Sequence, residues 1–202
     1  ATGACWRHRL HPAYKSKRPP MPSGLVEALP EIEKAIEALG VPICRVPDVE
    51  ADDVIASIAQ GLSGRNATRI VVLSTDRVML SLLPLGVRVR HHFDRRDRDV
   101  EEVRSRYGVE AEQLLDWLAL VGDAAQDIPG LKGIGEKGAT RLLIEHGTLE
   151  AVLTAAPTLT GREARTLEAG AEAARLSRQL VTLRTDVRTG VNLRACRLPP
   201  SV

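Results

Sequence analysis

The sequence predicts an α/β domain built on a parallel sheet with helices, followed by an all-helical domain. Three observations lead there. Ile70-Val71-Val72-Leu73 is an unbroken apolar run, the pattern of a parallel strand covered on both faces. Strand-like and helix-like segments alternate as far as Gly108. Beyond it the apolar spacing is helical throughout, which sets the expected domains at residues 1–110 and 111–202. With 202 residues the chain is long enough to bury a sizeable core, as one domain or as two small ones.

The elements follow in order. From Trp6 to Pro22 the segment is basic and irregular, because Pro12, Pro19, Pro20 and Pro22 rule out a long regular helix. Leu25 to Leu39 has helical periodicity and stops at Gly40. Val41 to Val46 reads as a short strand, and a helix then runs to about Leu62, where Gly61 and Gly64 mark its end. The apolar strand at Ile70 leads into Ser74-Thr75-Asp76. Ligands of open α/β sheets sit beyond the carboxyl ends of strands, which is where Asp76 falls, although a turn or helix cap would use the same residue. Val87 and Val89 alternate with Arg88 and Arg90, as in an outer strand with one wet face. The charge-rich stretch from Asp94 to Arg106 reads as a solvated loop and helix. Leu114, Leu115, Leu118 and Val121 make one helical face, a second helix runs to about His146, and further helix extends to about Leu183.

Composition narrows the function classes. The 44% hydrophobic and 27% charged fractions are those of a soluble globular protein, and a net charge of +2 gives no global basicity. The charge is uneven, since residues 1–26 hold Arg7, Arg9, Lys15, Lys17 and Arg18 and no acid. Aromatic residues make up 2%, which excludes an extended base-stacking platform and leaves backbone contact as the route to any nucleic acid. Cys5, Cys44 and Cys196 are odd in number and far apart, which points to reduced thiols in a cytoplasmic protein and away from disulfides or a zinc site. No signal peptide is visible in the 202 residues and no apolar run reaches membrane-spanning length, so no membrane role is expected.

Two stretches carry chemistry. Glu50-Ala51-Asp52-Asp53 puts three carboxylates within four positions at the start of a helix, where Glu50 and Asp53 converge with Asp52 on their flank. Carboxylates this close raise one another's pKa unless a cation relieves them, and hard oxygen donors suit Mg²⁺ or Mn²⁺. An acidic first turn favoured by the helix dipole has the same appearance. The second stretch is Gly133-Ile134-Gly135, lying between two helices and framed by Pro129-Gly130. Glycines allow close backbone approach, and with Lys137 beside them they fit a phosphate clamp of the helix–hairpin–helix kind that does not read sequence.

Taken together these motifs resemble the bacterial 5′→3′ exonucleases of the flap-endonuclease superfamily, which include the 5′-nuclease domain of DNA polymerase I and, closer still, the short stand-alone exonuclease IX type. Four motifs stand in the family's order: Trp6-Arg7-His8 with Tyr14-Lys15 and Arg18-Pro19-Pro20-Met21-Pro22; Glu50-Ala51-Asp52-Asp53; Ser74-Thr75-Asp76; and Gly122-Asp123 through Gly133 to Lys137. Leu183-Arg184-Thr185-Asp186 also matches, so the resemblance spans nearly the whole chain.

The resemblance implies a PIN/flap-endonuclease-like core, a C-terminal helix–hairpin–helix domain, and a metal-dependent phosphodiesterase that cuts DNA at 5′ ends and 5′ flaps in replication and repair. It assigns Glu50, Asp52 and Asp53 to a first Mg²⁺ or Mn²⁺ site, with Asp52 the foremost ligand, and Asp76 and Asp123 to a second. Lys15 and Arg18 match the catalytic cations that hold the scissile phosphate. Arg7, Tyr14, Lys15 and Arg18 would contact DNA, and so would Gly133, Ile134, Gly135, Glu136, Lys137 and Gly138. A K⁺ ion would sit on the carbonyls of Leu120, Val121, Pro129, Leu131 and Ile134, bridging them to a DNA phosphate.

The chain departs from the family pattern at two positions. Val78 stands where a second Asp often follows Asp76, and Gln126 where another usually follows Asp123, with Asp127 displaced by one. A second metal should therefore bind weakly or not at all. The family also begins with two strands, each carrying an Asp, that do not precede Ala1. A unit of that kind needs on the order of 30 residues, and a chain lacking it is open to incomplete folding and loss of activity. Two rival readings follow. One is a structure-specific flap-DNA-binding protein with weak or no catalysis. The other is a fragment of a polymerase nuclease domain, against which Leu198-Pro199-Pro200 closes the chain without an onward linker.

Overall fold

The computed structural model describes residues 4–64, 69–192, 194, 196 and 197; Leu198 to Pro200 lie outside the described residues. Trp6–Leu10 forms a five-residue helix, α1, which His11 and Pro12 end. α2 spans Ser23–Ala38, buries none of its side chains and accommodates Pro30. α3 spans Ala51–Leu62 and turns Asp53, Val54, Ala56, Ser57 and Ala59 inward. The small inward residues let it lie close against the chain end, where Ser57 Oγ donates to the Asp53 carbonyl at 2.8 Å and accepts from Val187 N–H at 3.1 Å.

Three short strands follow: β1 at Val71–Leu73, β2 at Arg88–Arg90 and β3 at Asp97–Arg98. The sheet order is β1-β2-β3, with β1 parallel to β2 and β3 antiparallel to it. Three strand expectations change here. Val41 to Val46 forms no strand, because Pro42 lacks an N–H and no strand lies alongside among the described residues. β1 is covered on one face only: Val72 is 6% exposed, but Val71 and Leu73 are 47% and 59% exposed. β2 does have the single wet face expected, yet it is the central strand, so the sheet is mixed. β3 sits in the charge-rich stretch read as loop and helix, and Arg90 Nε binds its Asp97 at 2.8 Å.

α4 spans Val100–Tyr107 and is capped by Asp99, which accepts from Glu102 N–H at 2.9 Å. The C-terminal half is helical, with α5 at Leu114–Val121, α6 at Glu136–His146, α7 at Leu149–Ala155 and α8 at Gly161–Val181. Apart from Asp116, α5 is apolar, and it packs against α6, α7 and α8. Asp116, on its surface, binds Arg178 of α8 and the first turn of α7 through Leu149 N–H. One hydrophobic core runs from Cys5 through Val89 and Trp117 to Leu183. No helix among the described residues is long and apolar enough to cross a membrane.

Candidate active site

The acidic turn lies at the N-terminus of α3, beneath α1. Arg7 is 2% exposed and spends all five N–H groups inside the protein. It forks onto Asp53 at 2.7 and 2.8 Å, reaches Glu50 at 2.8 Å, and donates to the Leu180 and Thr182 carbonyls at 2.7 and 2.9 Å. Asp53 also accepts from Trp6 Nε1 and from Arg184 N–H, both at 2.9 Å. Burial alone would raise its pKa. The hydrogen bonds from Arg7, Trp6 and Arg184, with the Arg7 charge, override burial and hold Asp53 below the usual carboxylate range.

Two expectations are corrected here. Asp53 has no lone pair left for a metal, and Arg7 has no donor left for DNA. Together they join α1, α3 and the chain end.

Glu50 is held next to this pair. Lys15 Nζ lies 2.6 Å from Oε1, and Tyr14 Oη lies 3.1 Å from Oε2. Burial pushes the Glu50 pKa up, but Lys15, Arg7 and Tyr14 more than offset it, so it stays ionised below its ordinary value. Tyr14 is 3% exposed, and burial with the Glu50 charge raises its pKa strongly. It therefore serves as a buried hydrogen-bonding prop for Glu50 and Gln126 and offers no surface to DNA. Lys15, in a left-handed conformation with φ 56°, is partly exposed, and Arg18 is exposed.

One cavity collects Asp52, Asp76 and Asp123, together with Tyr14, Arg77 and Gln126. Asp76 caps the 3₁₀ helix Arg77–Leu85, accepting from Val78 N–H at 2.9 Å, and sits three residues past β1. It is thus both the cap and a cavity residue. Asp123 closes an antiparallel bridge to Ile128 and is paired with Arg77 at 2.9 Å. Among the described residues, Asp52 and Asp76 have no basic partner. Burial, then the Asp76 charge, raises the Asp52 pKa, and Lys15 and Arg7 only partly counter this.

Among the described residues no three carboxylate, histidine or cysteine side chains are grouped so as to enclose a metal ion. A pair is nonetheless what a magnesium-type ion uses, since such ions keep several waters and take one or two carboxylates plus substrate phosphate. Asp52 and Asp76 fit that need, and a cation there would relieve their repulsion. Arg77 on Asp123, Lys15 on Glu50 and Arg7 on Asp53 already compensate the other three.

The departures from the family pattern have visible consequences. Val78 lines the cavity as an apolar wall. The Gln126 amide donates to Asp123 at 3.3 Å, and Asp127 turns away to bind Lys17 at 2.8 Å. The loop 123–128 is further clamped to the basic segment by Lys15 N–H, which donates to the Gln126 carbonyl at 3.0 Å.

The hairpin sits at the end of α5. Gly122 and Gly130 have φ of 83° and 60°, and a Cβ on Gly130 would lie 2.5 Å from the Val121 carbonyl oxygen, so only glycine lets these backbones meet. The Leu120 and Leu131 carbonyls accept from Leu131 and Ile134 N–H at 2.8 and 2.9 Å, and each keeps a second lone pair. Gly135 caps α6, so Glu136, Lys137 and Gly138 form its first turn. Beside the hairpin, a recess is lined by Lys132 with Arg162, Arg165 and Thr166 of α8. Sequence reading missed these two arginines and Arg77. The signal for Arg77 was its place directly after Asp76; α8 carries too many charges for its spacing to single out Arg162 and Arg165.

Comparison with known proteins agrees with this arrangement. Residues 1–108 match the profile of the 5′-3′ exonuclease N-terminal resolvase-like domain, and residues 109–201 that of the 5′-3′ exonuclease C-terminal SAM fold. The chain is 40% identical over 196 residues to the flap endonuclease Xni of Pectobacterium carotovorum, covering 96% of this chain and 74% of that protein. It is 38% identical over 196 residues to the Xni of Shewanella amazonensis, covering 97% and 77%. Among solved structures, the T5 D15 protein co-crystallised with metal ions superposes with a TM-score of 0.80 at 25% identity, over 91% of this chain and 74% of that one.

Proposed function

From the premise that this chain belongs to the 5′-3′ exonuclease family of nucleases, we propose that it hydrolyses phosphodiester bonds of DNA at 5′ ends and 5′ flaps with the help of a divalent cation, Mg²⁺ or Mn²⁺. The observation that carries the reading is the Asp52–Asp76 pair, which shares one cavity and has no basic partner among the described residues. Such a pair costs stability unless something positively charged joins it. The reduced cysteines Cys5, Cys44 and Cys196 suit work in the cytoplasm.

Asp52 and Asp76 would hold the cation, with Asp123 beside them. When bound, the cation lowers the pKa of a coordinated water and offsets charge on the phosphate. The chain's own residues do the rest. Glu50 keeps Lys15 at the rim of the acidic turn by one of its three ammonium protons, leaving two for a phosphate oxygen. Arg18, exposed three residues on, adds a second cation against the charge that develops as water attacks phosphorus and the opposite P–O bond breaks. Gly133 to Gly138 offer backbone N–H groups and the N-terminus of α6 to a duplex phosphate. K⁺ at the carbonyls of Leu120, Val121, Pro129, Leu131 and Ile134 would join that grip, favoured by the negative end of the α5 dipole.

A 5′-labelled flap duplex tests the proposal. Wild type should cut it only with Mg²⁺ or Mn²⁺ present, and Asp52→Asn should lose that cleavage. Cleavage by Asp52→Asn at the wild-type rate would sink the cavity assignment. Tight binding without cleavage by wild type would instead favour a flap-binding protein, for which the compensated Asp123 and the substitutions Val78 and Gln126 already speak.

A further inference from the structure

We infer that Phe93, at the tip of the turn between β2 and β3, stacks on one unpaired nucleobase of the DNA substrate, with Arg95 and Arg96 beside it for the neighbouring phosphates. The inference rests on the nuclease reading and adds a base contact, which that reading does not contain. The chain carries two tryptophans, two tyrosines and this one phenylalanine. Trp6 is half-buried, and Tyr14, Tyr107 and Trp117 are buried, so those four rings serve the interior. Phe93 is 80% exposed and takes no part in the hydrophobic core. A ring standing in water leaves its apolar faces unburied, and stacking recovers that surface. A single ring is no platform for a row of bases, but it suffices for one.

The turn holds the ring in a fixed place. His91 N–H donates to the Arg96 carbonyl at 2.9 Å, and Arg95 N–H to the His91 carbonyl at 3.0 Å. Asp94 accepts from Arg96 N–H at 3.0 Å and pairs with Arg98 of β3. Arg95 takes the left-handed conformation, with φ 57°, which a residue other than glycine enters at a cost. The His91 and His92 rings meet Phe93 edge to face, with centroids 6.1 and 5.2 Å away. A ring braced in this way has little freedom left to lose when it binds.

Place and charge point to a nucleotide as the occupant. Ser74 N–H donates to the Arg90 carbonyl at 3.0 Å, so the turn leaves the sheet at the end that carries Asp76. His91, its first residue, lines one recess with Ser74, Thr75, Asp76 and Arg77, and Arg77 also lines the carboxylate cavity. The arginines around the tip fall into two groups. Arg88 and Arg90 are held by Asp97, and Arg98 by Asp94 and Glu102. Arg95 and Arg96 are exposed, and among the described residues no acidic side chain pairs with them. A ring between two uncommitted cations matches the two parts of a nucleotide, base and phosphate. A base inside a duplex has both faces covered by its neighbours, so the base that stacks here is unpaired, in the flap or in the strand opposite it.

The test is flap-duplex binding by the full chain without a divalent ion, read by fluorescence anisotropy. Phe93→Ala should bind roughly 5- to 150-fold more weakly whatever the base, the scale of one base stacked on one aromatic ring. The slope of log K against log salt should stay at the wild-type value, because no charge is lost. The unfolding temperature should stay too, because the ring is exposed. Phe93→Trp should restore binding, whereas Arg95→Gln should lower the salt slope by about 0.9. An abasic site moved one position at a time through the flap, and then through the opposite strand, locates the base. At one position it should weaken wild type and leave Phe93→Ala unaffected, and the strand holding that position is the source. An abasic scan that lowers both proteins equally everywhere would overturn the stacking, as would a Phe93→Ala that weakens flap and fully paired duplex alike. If wild type binds and cuts the flap and Phe93→Ala matches it, the stacking alone falls and the ring is left for a protein surface. A wild type that neither binds nor cuts removes the nuclease reading, and the stacking with it.

Discussion

Asp53 accepts four hydrogen bonds from Trp6, Arg7 and Arg184 and is sealed from solvent, whereas Asp52, one residue earlier in the same helical turn, receives none among the described residues and shares its cavity with a second carboxylate. The residue type and the turn are the same, so the difference lies in the partners. Asp53 gained its partners from both ends of the chain, since Arg7 and Arg184 meet over it. That saturation fixes the turn in space. Asp52 has the opposite character: burial and the Asp76 charge work against its ionised form, and the protein supplies too little positive charge to balance them. A rigid, satisfied carboxylate thus holds an unsatisfied one in position, and only the second is left able to take up a cation.

The largest effect should come from breaking the satisfied side. Asp53→Ala takes the forked partner from the buried Arg7 guanidinium, which keeps only Glu50 and two carbonyls, and breaking a buried ion pair costs about 3–5 kcal/mol. A denaturant titration should show the unfolding free energy fall by that amount, with the midpoint moving down in proportion. An unchanged midpoint would mean that the pair does not anchor the turn.

Asp52→Asn should act in the other direction on stability while lowering cleavage about a hundredfold, the scale of losing one preorganised charge at a transition state. The sign on stability follows from linkage. The folded pKa of Asp52 is raised above 3.8, so the ionised native state is penalised at neutral pH, and that penalty fades as pH falls through the folded value toward 3.8. The cation-free variant should therefore outlast wild type to denaturant at pH 7, and the gap should close near pH 4. Glu50 and Asp53 behave oppositely. Their folded pKa values are depressed, so the stability they provide is present above 4.5 and 3.8 and is lost as pH falls through the lower folded values. A gap between wild type and Asp52→Asn that stayed constant from pH 7 to pH 4 would show that Asp52 is not the strained member.

The acidic turn was legible in the sequence because its three carboxylates are neighbours along the chain. The helical half was legible too, since α5, α6 and α8 carry long periodic apolar patterns. What defeated sequence reading was partnership across distance. Arg7 and Tyr14 belong to a proline-broken basic segment that looks solvated, and nothing local signals that they meet Glu50 and Asp53, about forty residues on. β2 showed its wet face through Arg88 and Arg90, but its central position depends on β3, a two-residue strand hidden among charges. β1 looked buried on both faces because Val71 and Leu73 are as apolar as Val72, and composition cannot tell which neighbours are present. At Val41 to Val46 the β-branched residues outweighed Pro42 in the reading, whereas in the fold the segment has no partner strand.

The comparison is sharpened most finely at Val78, which walls the cavity where a further carboxylate would make the unsatisfied side more acidic. Val78→Asp places a third charge near Asp52 and Asp76. Without a divalent ion the variant should unfold at a lower temperature than wild type, because the added carboxylate is buried beside two others and Val78 is only 8% exposed. With Mg²⁺ or Mn²⁺ the order should narrow or reverse. Stabilisation by a ligand grows as RT ln(1 + [L]/Kd), so a tenfold tighter site adds about 1.4 kcal/mol at saturating ion. Thermal unfolding across a metal titration reads this directly. The midpoint of Val78→Asp should climb more steeply than that of wild type, and Asp52→Asn should blunt the rise in both backgrounds. If the ion shifts wild type and Val78→Asp equally, it binds elsewhere. The unrelieved charge on Asp52 would then be a cost the fold carries for some purpose other than holding a metal.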